Sequence, residues 1–262
     1  MLWVSPGYAG YGSAVYIPAN TYYVVTQFFT FSTTSFTVSA WIWIPFNFTD
    51  APANTYFVLF SYPQSRTTDR NLQLAINTGY LCLSFYNDDL IGSTYLKSNQ
   101  WYHVAFVYDR PGSTQYVYVN GYLDGNRTCG TFLGNSSKIL FGYILSYADT
   151  TYQSGYIDQL ILVTRVKNAT ELLNEATLVA YYPFDNSYLD AGPNNISNTI
   201  QVSTTFNPNG VFNQGLMINS SSQSFFQTTG FYYLGLSNYS YSFALWIYPF
   251  VNNGTILQVR YE

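Results

Sequence analysis

The sequence predicts an all-β protein, an antiparallel sandwich, and three observations carry that expectation. Short runs rich in aromatic and β-branched residues alternate with clusters of Gly, Asn, Asp, Pro and Ser along most of the chain. Within such runs apolar side chains recur at every second position. In 80–86, Leu81, Leu83 and Phe85 share one face while Tyr80, Cys82, Ser84 and Tyr86 share the other. Asn120-Gly121, directly after Tyr116-Val117-Tyr118-Val119, is the dipeptide that a tight antiparallel hairpin prefers.

Taken in order, strands are expected near 36–44, 56–62, 72–76, 80–86, 102–108, 115–119, 138–143, 155–163 and 178–184. Their regular spacing implies antiparallel pairing in a sandwich. One helix is expected, from Ala169 to about Ala176. Asn168 can cap it, with Glu171 three positions on as the reciprocal partner, and Leu172 and Leu173 supply its packing face.

The chain has 262 residues, of which 48% are apolar, ample for a core, but only 8% are charged. An average soluble protein has roughly 25% charged residues. Ser, Thr, Asn and Gln, with 28 Tyr, must therefore keep the surface wet. A net charge of −4 without a clustered basic face excludes nucleic acid and polyanions as partners. The longest apolar stretches, such as 36–46, are too short for the ~20 residues of a membrane span, and the first residues do not resemble a signal peptide. A secreted form would have its signal upstream or already removed.

Cys82 and Cys129 are the two cysteines, without metal-type spacing; a disulfide is the simplest reading, two separate buried thiols the alternative. Asn-X-Ser/Thr sequons stand at Asn47, Asn126, Asn135, Asn168, Asn195, Asn219, Asn238 and Asn253. They point to N-linked glycans and an extracellular location, and a sugar coat would explain the scarcity of ions. Asn168 serves equally well as a helix cap.

An internal repeat organises the chain. Phe36-Thr37-Val38-Ser39-Ala40-Trp41-Ile42-Trp43 recurs as Tyr241-Ser242-Phe243-Ala244-Leu245-Trp246-Ile247-Tyr248, a period of about 205 residues. Gly12-Ser13-Ala14-Val15-Tyr16-Ile17 corresponds loosely to Asn213-Gln214-Gly215-Leu216-Met217-Ile218.

Four motifs resemble the laminin G-like branch of the concanavalin A-like lectin and glucanase superfamily. They are Phe36-Thr37-Val38-Ser39-Ala40-Trp41, then Gln100-Trp101-Tyr102-His103-Val104-Ala105-Phe106-Val107-Tyr108-Asp109, then Tyr118-Val119-Asn120-Gly121. The fourth is Gly155-Tyr156-Ile157-Asp158-Gln159-Leu160 with Arg165 and Glu171-Leu172-Leu173. The resemblance covers residues 12–176 and implies a jelly-roll sandwich. Tyr181-Tyr182-Pro183-Phe184-Asp185 looks like a fresh opening strand, so 1–177 reads as one nearly complete domain and 178–262 as the first part of another. In that register the first copy lacks its opening strand, and the missing pieces would be supplied from elsewhere.

Glucanases of this superfamily carry paired carboxylates on one strand, as glycoside hydrolysis requires. Glu171, Glu175 and Glu262 are the chain's glutamates, and none lies on a predicted strand. Asp88-Asp89 reads as a solvated turn. His103, the one histidine, sits within a strand without a nucleophile motif, so no enzyme is expected. Family members often hold calcium through loop carboxylates and carbonyls; Asp185, Asp190 and Asn194 offer such oxygens, although turn formation explains them equally well. Asp158 matches the family's aspartate and reads as a structural hydrogen-bond acceptor.

Two functions follow as expectations. The first is an extracellular, glycosylated structural or adhesive protein, a repeating subunit of a filament or matrix array whose identical copies meet head to tail and exchange strands. The alternative is a lectin module binding glycans through aromatic platforms.

Overall fold

The computed structural model describes residues 2–260 apart from 53, 65, 136, 145–149, 220–222, 235 and 252. Its strands are β1 (Leu2–Val4), β2 (Ala14–Ile17), β3 (Tyr23–Phe29), β4 (Phe36–Trp43), β5 (Thr55–Tyr62), β6 (Leu72–Asn77) and β7 (Tyr80–Ser84). They continue with β8 (Asp89–Ile91), β9 (Trp101–Asp109), β10 (Thr114–Val119), β11 (Tyr122–Thr128), β12 (Ser137–Phe141), β13 (Thr151–Tyr152) and β14 (Gly155–Val163). Helix α1 (Ala169–Thr177) follows, then β15 (Thr199–Val202), β16 (Thr204–Asn207), β17 (Gly215–Ile218) and β18 (Phe225–Thr228). The chain divides into two compact units, Met1–Tyr181 with Ala191–Asn195, and Tyr182–Asp190 with Ile196–Glu262.

The first unit is a jelly-roll sandwich. One sheet runs β1-β2-β14-β4-β9-β10-β11 and the other β3-β12-β5-β6-β7-β8, with β13 added in parallel to β5. Every other pairing in these two sheets is antiparallel. Period-two alternation places the core. From β4, Phe36, Val38, Ala40 and Ile42 point inward; from β9, Val104, Phe106 and Tyr108; from β5, Phe57, Leu59, Phe60 and Tyr62. A register shift between Val58 and Phe60 puts Leu59 and Phe60 both in the core. Leu72, Leu74 and Ile76 of β6 and Leu81 and Leu83 of β7 close the other wall.

The Asn120-Gly121 turn joins β10 to β11 with both residues at positive φ, 51° and 81°, the left-handed pair that a two-residue hairpin needs. Gly121 is also pressed against the helix, where an added Cβ would lie 2.6 Å from Leu173 Cα. The helix begins with the full reciprocal cap: Glu171 N donates to Asn168 Oδ1 and Asn168 N donates to Glu171 Oε2, each at 2.9 Å. Its Leu172 packs on Ala105, Val107 and Tyr118, the outward face of the first sheet.

Polar groups fasten this helix as well. Lys167 Nζ, nearly buried, donates to Glu175 Oε1, and Ser39 Oγ of β4 donates to Glu175 Oε2 at 2.9 Å. His103 Nε2 stands 3.9 Å from the same Glu175 oxygen. Burial first, and the Lys167 charge second, hold the His103 pKa down at about 4, because the carboxylate that could favour its proton is already committed to Lys167.

The segment 178–184, expected as a strand, forms none. Leu178 instead closes the helix by donating its N–H to Asn174 O, and the sheet edge beside β2 is already filled by β1. β1, β2 and β3 were not anticipated in the strand assignment. In the second unit β15 pairs with β18, and β16 with β17. Tyr182, Phe184, Tyr188, Phe206 and Phe226 form an aromatic cluster there. Among the described residues no strand forms between 229 and 260. The repeat partner of β4 is therefore unpaired: Trp41 is 6% exposed, its counterpart Trp246 80%.

Two outcomes follow for stability. Gly121→Ala combines a left-handed backbone with a clash against the helix and should destabilise the first unit by more than about 1 kcal/mol in urea denaturation. Acidification protonates His103 in the unfolded chain near its ordinary 6.5 but in the folded protein only near 4. The unfolded state thus binds the extra proton between those values, so the stability carried by neutral His103 is whole above 6.5 and lost as the pH falls to 4. The loss is up to about 3 kcal/mol, and His103→Phe should flatten the dependence of the urea midpoint on pH across that window.

Candidate functional site

On the outward face of the second sheet, side chains make a shallow groove of about 70 Å³ that opens to solvent. The alternation that sends Leu72, Leu74 and Ile76 inward turns Gln73, Ala75 and Asn77 outward. Cys82 and Ser84 of β7, Asp89 and Ile91 of β8, and Tyr56 of β5 join them in or beside the groove. Asn77 Oδ1 is buried there without a hydrogen-bond partner. Val58, Ala75, Ile144 and Tyr152 pack as a small apolar cluster on this sheet, beside Tyr56. Burial, then the neighbouring Cys82, Asp89 and Tyr152, raise the Tyr56 pKa, so this ring stays a neutral phenol able to donate.

One rim is the two-residue turn between β7 and β8. Tyr86 and Asn87 adopt φ of 69° and 55°, and Phe85 N donates to Asp88 O at 3.1 Å to close the hairpin. Ser84 Oγ accepts from Tyr86 N at 3.0 Å and donates to Asp89 Oδ1, tying Tyr86 and Asp89 to β7. Asp88 points away to a second cluster, where Arg127 Nη2 lies 2.8 Å from Asp88 Oδ1 and Gly130 N donates to Asp88 Oδ2 at 2.6 Å. Asp88 is thus a buried, paired carboxylate and not the solvated turn residue expected, because β11 brings Arg127 across it. Asp69 faces it, and burial first and the Asp88 charge second raise the Asp69 pKa. Asp69 Oδ1 is buried without a hydrogen-bond partner.

The expected disulfide is not formed: Cys82 and Cys129 are both buried free thiols. Cys82 faces the groove, whereas Cys129 lies in the core between the sheets. A sheet separates two sulfur atoms that a disulfide would hold about 2 Å apart. Burial, followed by nearby aspartate charge, raises both pKa values, Cys129 to about 12.

Asn47, Asn126, Asn135, Asn168, Asn195, Asn219, Asn238 and Asn253 are all exposed. Glu171 is paired with Arg165 at 2.6 Å and Glu175 with Lys167, while Glu262 lies outside the described residues. Asp158 accepts from Tyr8 N at 2.7 Å and from Gln159 N at 2.8 Å. Asp185 accepts from Gln214 N, Asp190 from Ile196 N, and Asn194 from the Gln159 amide, each a local brace. Among the described residues no group of three or more His, Cys, Asp or Glu gathers as a metal centre, and no helix is long and apolar enough to cross a membrane.

The groove is not legible as a site in the sequence, although two of its residues, Cys82 and Asp89, stand out there for other reasons. The available signal was Tyr86-Asn87, two residues between two alternating runs, with a bulky side chain where such a turn prefers Asn or Gly.

None of the curated proteins matches the chain. Among solved structures, the botulinum neurotoxin type G receptor binding domain is similar at 15% identity and a TM-score of 0.43, over 63% of this chain and 46% of that one. The SAP-like pentraxin of Limulus polyphemus has 15% identity and a TM-score of 0.45, over 61% of this chain and 79% of that one. The CBM40 of Ruminococcus gnavus IT-sialidase, solved with α2,3 sialyllactose, has 14% identity and a TM-score of 0.46, over 61% and 94%. The chain thus spans about half the length of the first of these, and the likenesses are of fold alone. Residues 18–173, more than half of the sequence, match the family model of a jelly-roll fold whose sheets, hairpin and closing helix are those described above, and the chain belongs to the concanavalin A-like lectin/glucanases superfamily.

Proposed function

We propose that the first unit is a non-enzymatic glycan-binding module of an extracellular, N-glycosylated protein, and that the groove on the second sheet is its combining site. The observation that carries this reading is the lining: two tyrosines, three amides, a hydroxyl and a carboxylate on a sheet and the turn at its edge. A sugar ring has a C–H face for an aromatic ring and hydroxyls at its edge for side chains that both donate and accept. Rigid strands hold such groups in fixed register, which a shallow site needs for specificity. The eight exposed sequons support the extracellular part of the proposal.

A second reading, assembly of identical copies by head-to-tail strand exchange, is favoured by the second unit. Phe243, Leu245, Trp246, Ile247, Tyr248 and Phe250 are each 45–83% exposed on a segment with no strand partner. Such a segment invites pairing with another chain. It takes second place because it rests on one segment without a strand partner among the described residues.

Both readings have direct tests. Tyr56→Ala and Gln73→Ala should each lower binding to glycans on a printed array by about tenfold while the folded fraction at 25 °C is unchanged; a wild-type protein that binds no glycan ends the first reading. In sedimentation, wild type should associate with rising concentration and Phe243→Ser/Trp246→Ser should not. A monomer at every concentration ends the second.

A further inference from the structure

We infer that Asn126, among the eight sequon asparagines, carries a structural glycan: its first sugar residue packs on the neighbouring Tyr116 side chain and stabilises the first unit. This rests on the extracellular, N-glycosylated part of the reading above and adds to it a site and a role.

The strand register brings the two residues together. Tyr116 of β10 and Asn126 of β11 are direct partners in an antiparallel pair. Side chains opposed in this way share a face, with Cβ atoms about 4.5–5.5 Å apart. That face is the outward one. Val117 and Val119 fill the core, whereas Tyr116 packs on the other side against Ala105, Val107, Tyr118 and Leu172. Tyr116 is half-buried and Asn126 is exposed. β11 ends the first sheet, so among the described residues no further strand stands beyond Asn126.

The other sequons are placed differently. Asn126 alone of the eight lies on a strand. Asn47 and Asn168 cap helical turns, their Oδ1 atoms accepting from Thr49 N and Glu171 N. Asn195 and Asn238 sit at positive φ, 47° and 69°. A glycan on a loop moves with the loop, whereas one on β11 starts from a fixed backbone beside a fixed ring.

Glycosylation joins the Asn126 amide nitrogen to the anomeric carbon of an activated, lipid-linked oligosaccharide diphosphate. The lipid diphosphate leaves, and the amide gives up one proton. The first sugar ring then begins one bond from Nδ2, within reach of the side chain across the pair. Its C–H face suits an aromatic ring while its hydroxyls stay in water, so the contact covers apolar area that Tyr116 otherwise exposes.

The test uses the full chain secreted from a eukaryotic host. Peptide mass spectrometry should find a glycan on Asn126. Trimming all glycans to the first N-acetylglucosamine should leave the melting temperature of the first unit unchanged. Asn126→Gln and Thr128→Val each remove this sequon, and each should lower that temperature by about 2–4 °C. In chains made without glycosylation the same substitutions should shift it by less than about 1 °C, and in a glycosylated Tyr116→Val background so should Thr128→Val. A bare Asn126 beside occupied sequons elsewhere, a loss on trimming, or an unchanged melting temperature in either sequon variant overturns the inference. So does a loss of the same size without the sugar or without Tyr116. A chain with no glycan at any sequon instead removes the N-glycosylated reading beneath it.

Discussion

Strand β4 makes sense only between its neighbours. β14 pairs with it on one edge and β9 on the other, its inward side chains fill the core, and Ser39 on its outer face meets the helix through Glu175. The protein contains its own control for this constraint. Residues 241–248 resemble β4 in sequence, with Trp246 and Ile247 standing where β4 has Trp41 and Ile42, yet among the described residues they form no strand and stay exposed. Aromatic and β-branched content thus does not make a strand by itself; a ladder on each edge and a covered face do.

The two sheets resolve their outward faces differently, and function follows from the difference. Helix α1 is fastened over the first sheet by Leu172 and by the Lys167–Glu175–Ser39 cluster, a buried polar network that fixes how the helix sits. The second sheet has no such helix. Its outward face carries Gln73, Asn77 and Ser84 along a shallow groove, with the Tyr86-Asn87 turn beside them. The same alternation that builds the core therefore also builds the site.

Asp88 and Asp89 show how far two adjacent residues can diverge. Opposite orientations at the start of β8 send Asp88 to Arg127 and Gly130, where it is neutralised, and Asp89 into the groove, where its charge remains. Cys82 and Cys129 diverge in the same manner: one lies outside the second sheet and one inside it, which is why two cysteines suited by number to a disulfide remain thiols.

The sequence by itself determined the all-β class, the Asn120-Gly121 hairpin, the capped helix after Asn168 and the order of the principal strands, because each depends on neighbours within a few residues: alternation, turn chemistry and a three-residue cap. It also placed Leu81, Leu83 and Phe85 on one face and Cys82 and Ser84 on the other. Only the tertiary structure decided which face was core and which was site, since alternation is symmetric until a second sheet covers one side. It likewise decided that 178–184 is no strand, that the cysteines are separated, and that Tyr56, Gln73 and the Tyr86–Asp89 turn, from three stretches of chain with no shared motif, border one groove. Those outcomes depend on contacts between residues far apart in sequence, and local pattern carries no record of them.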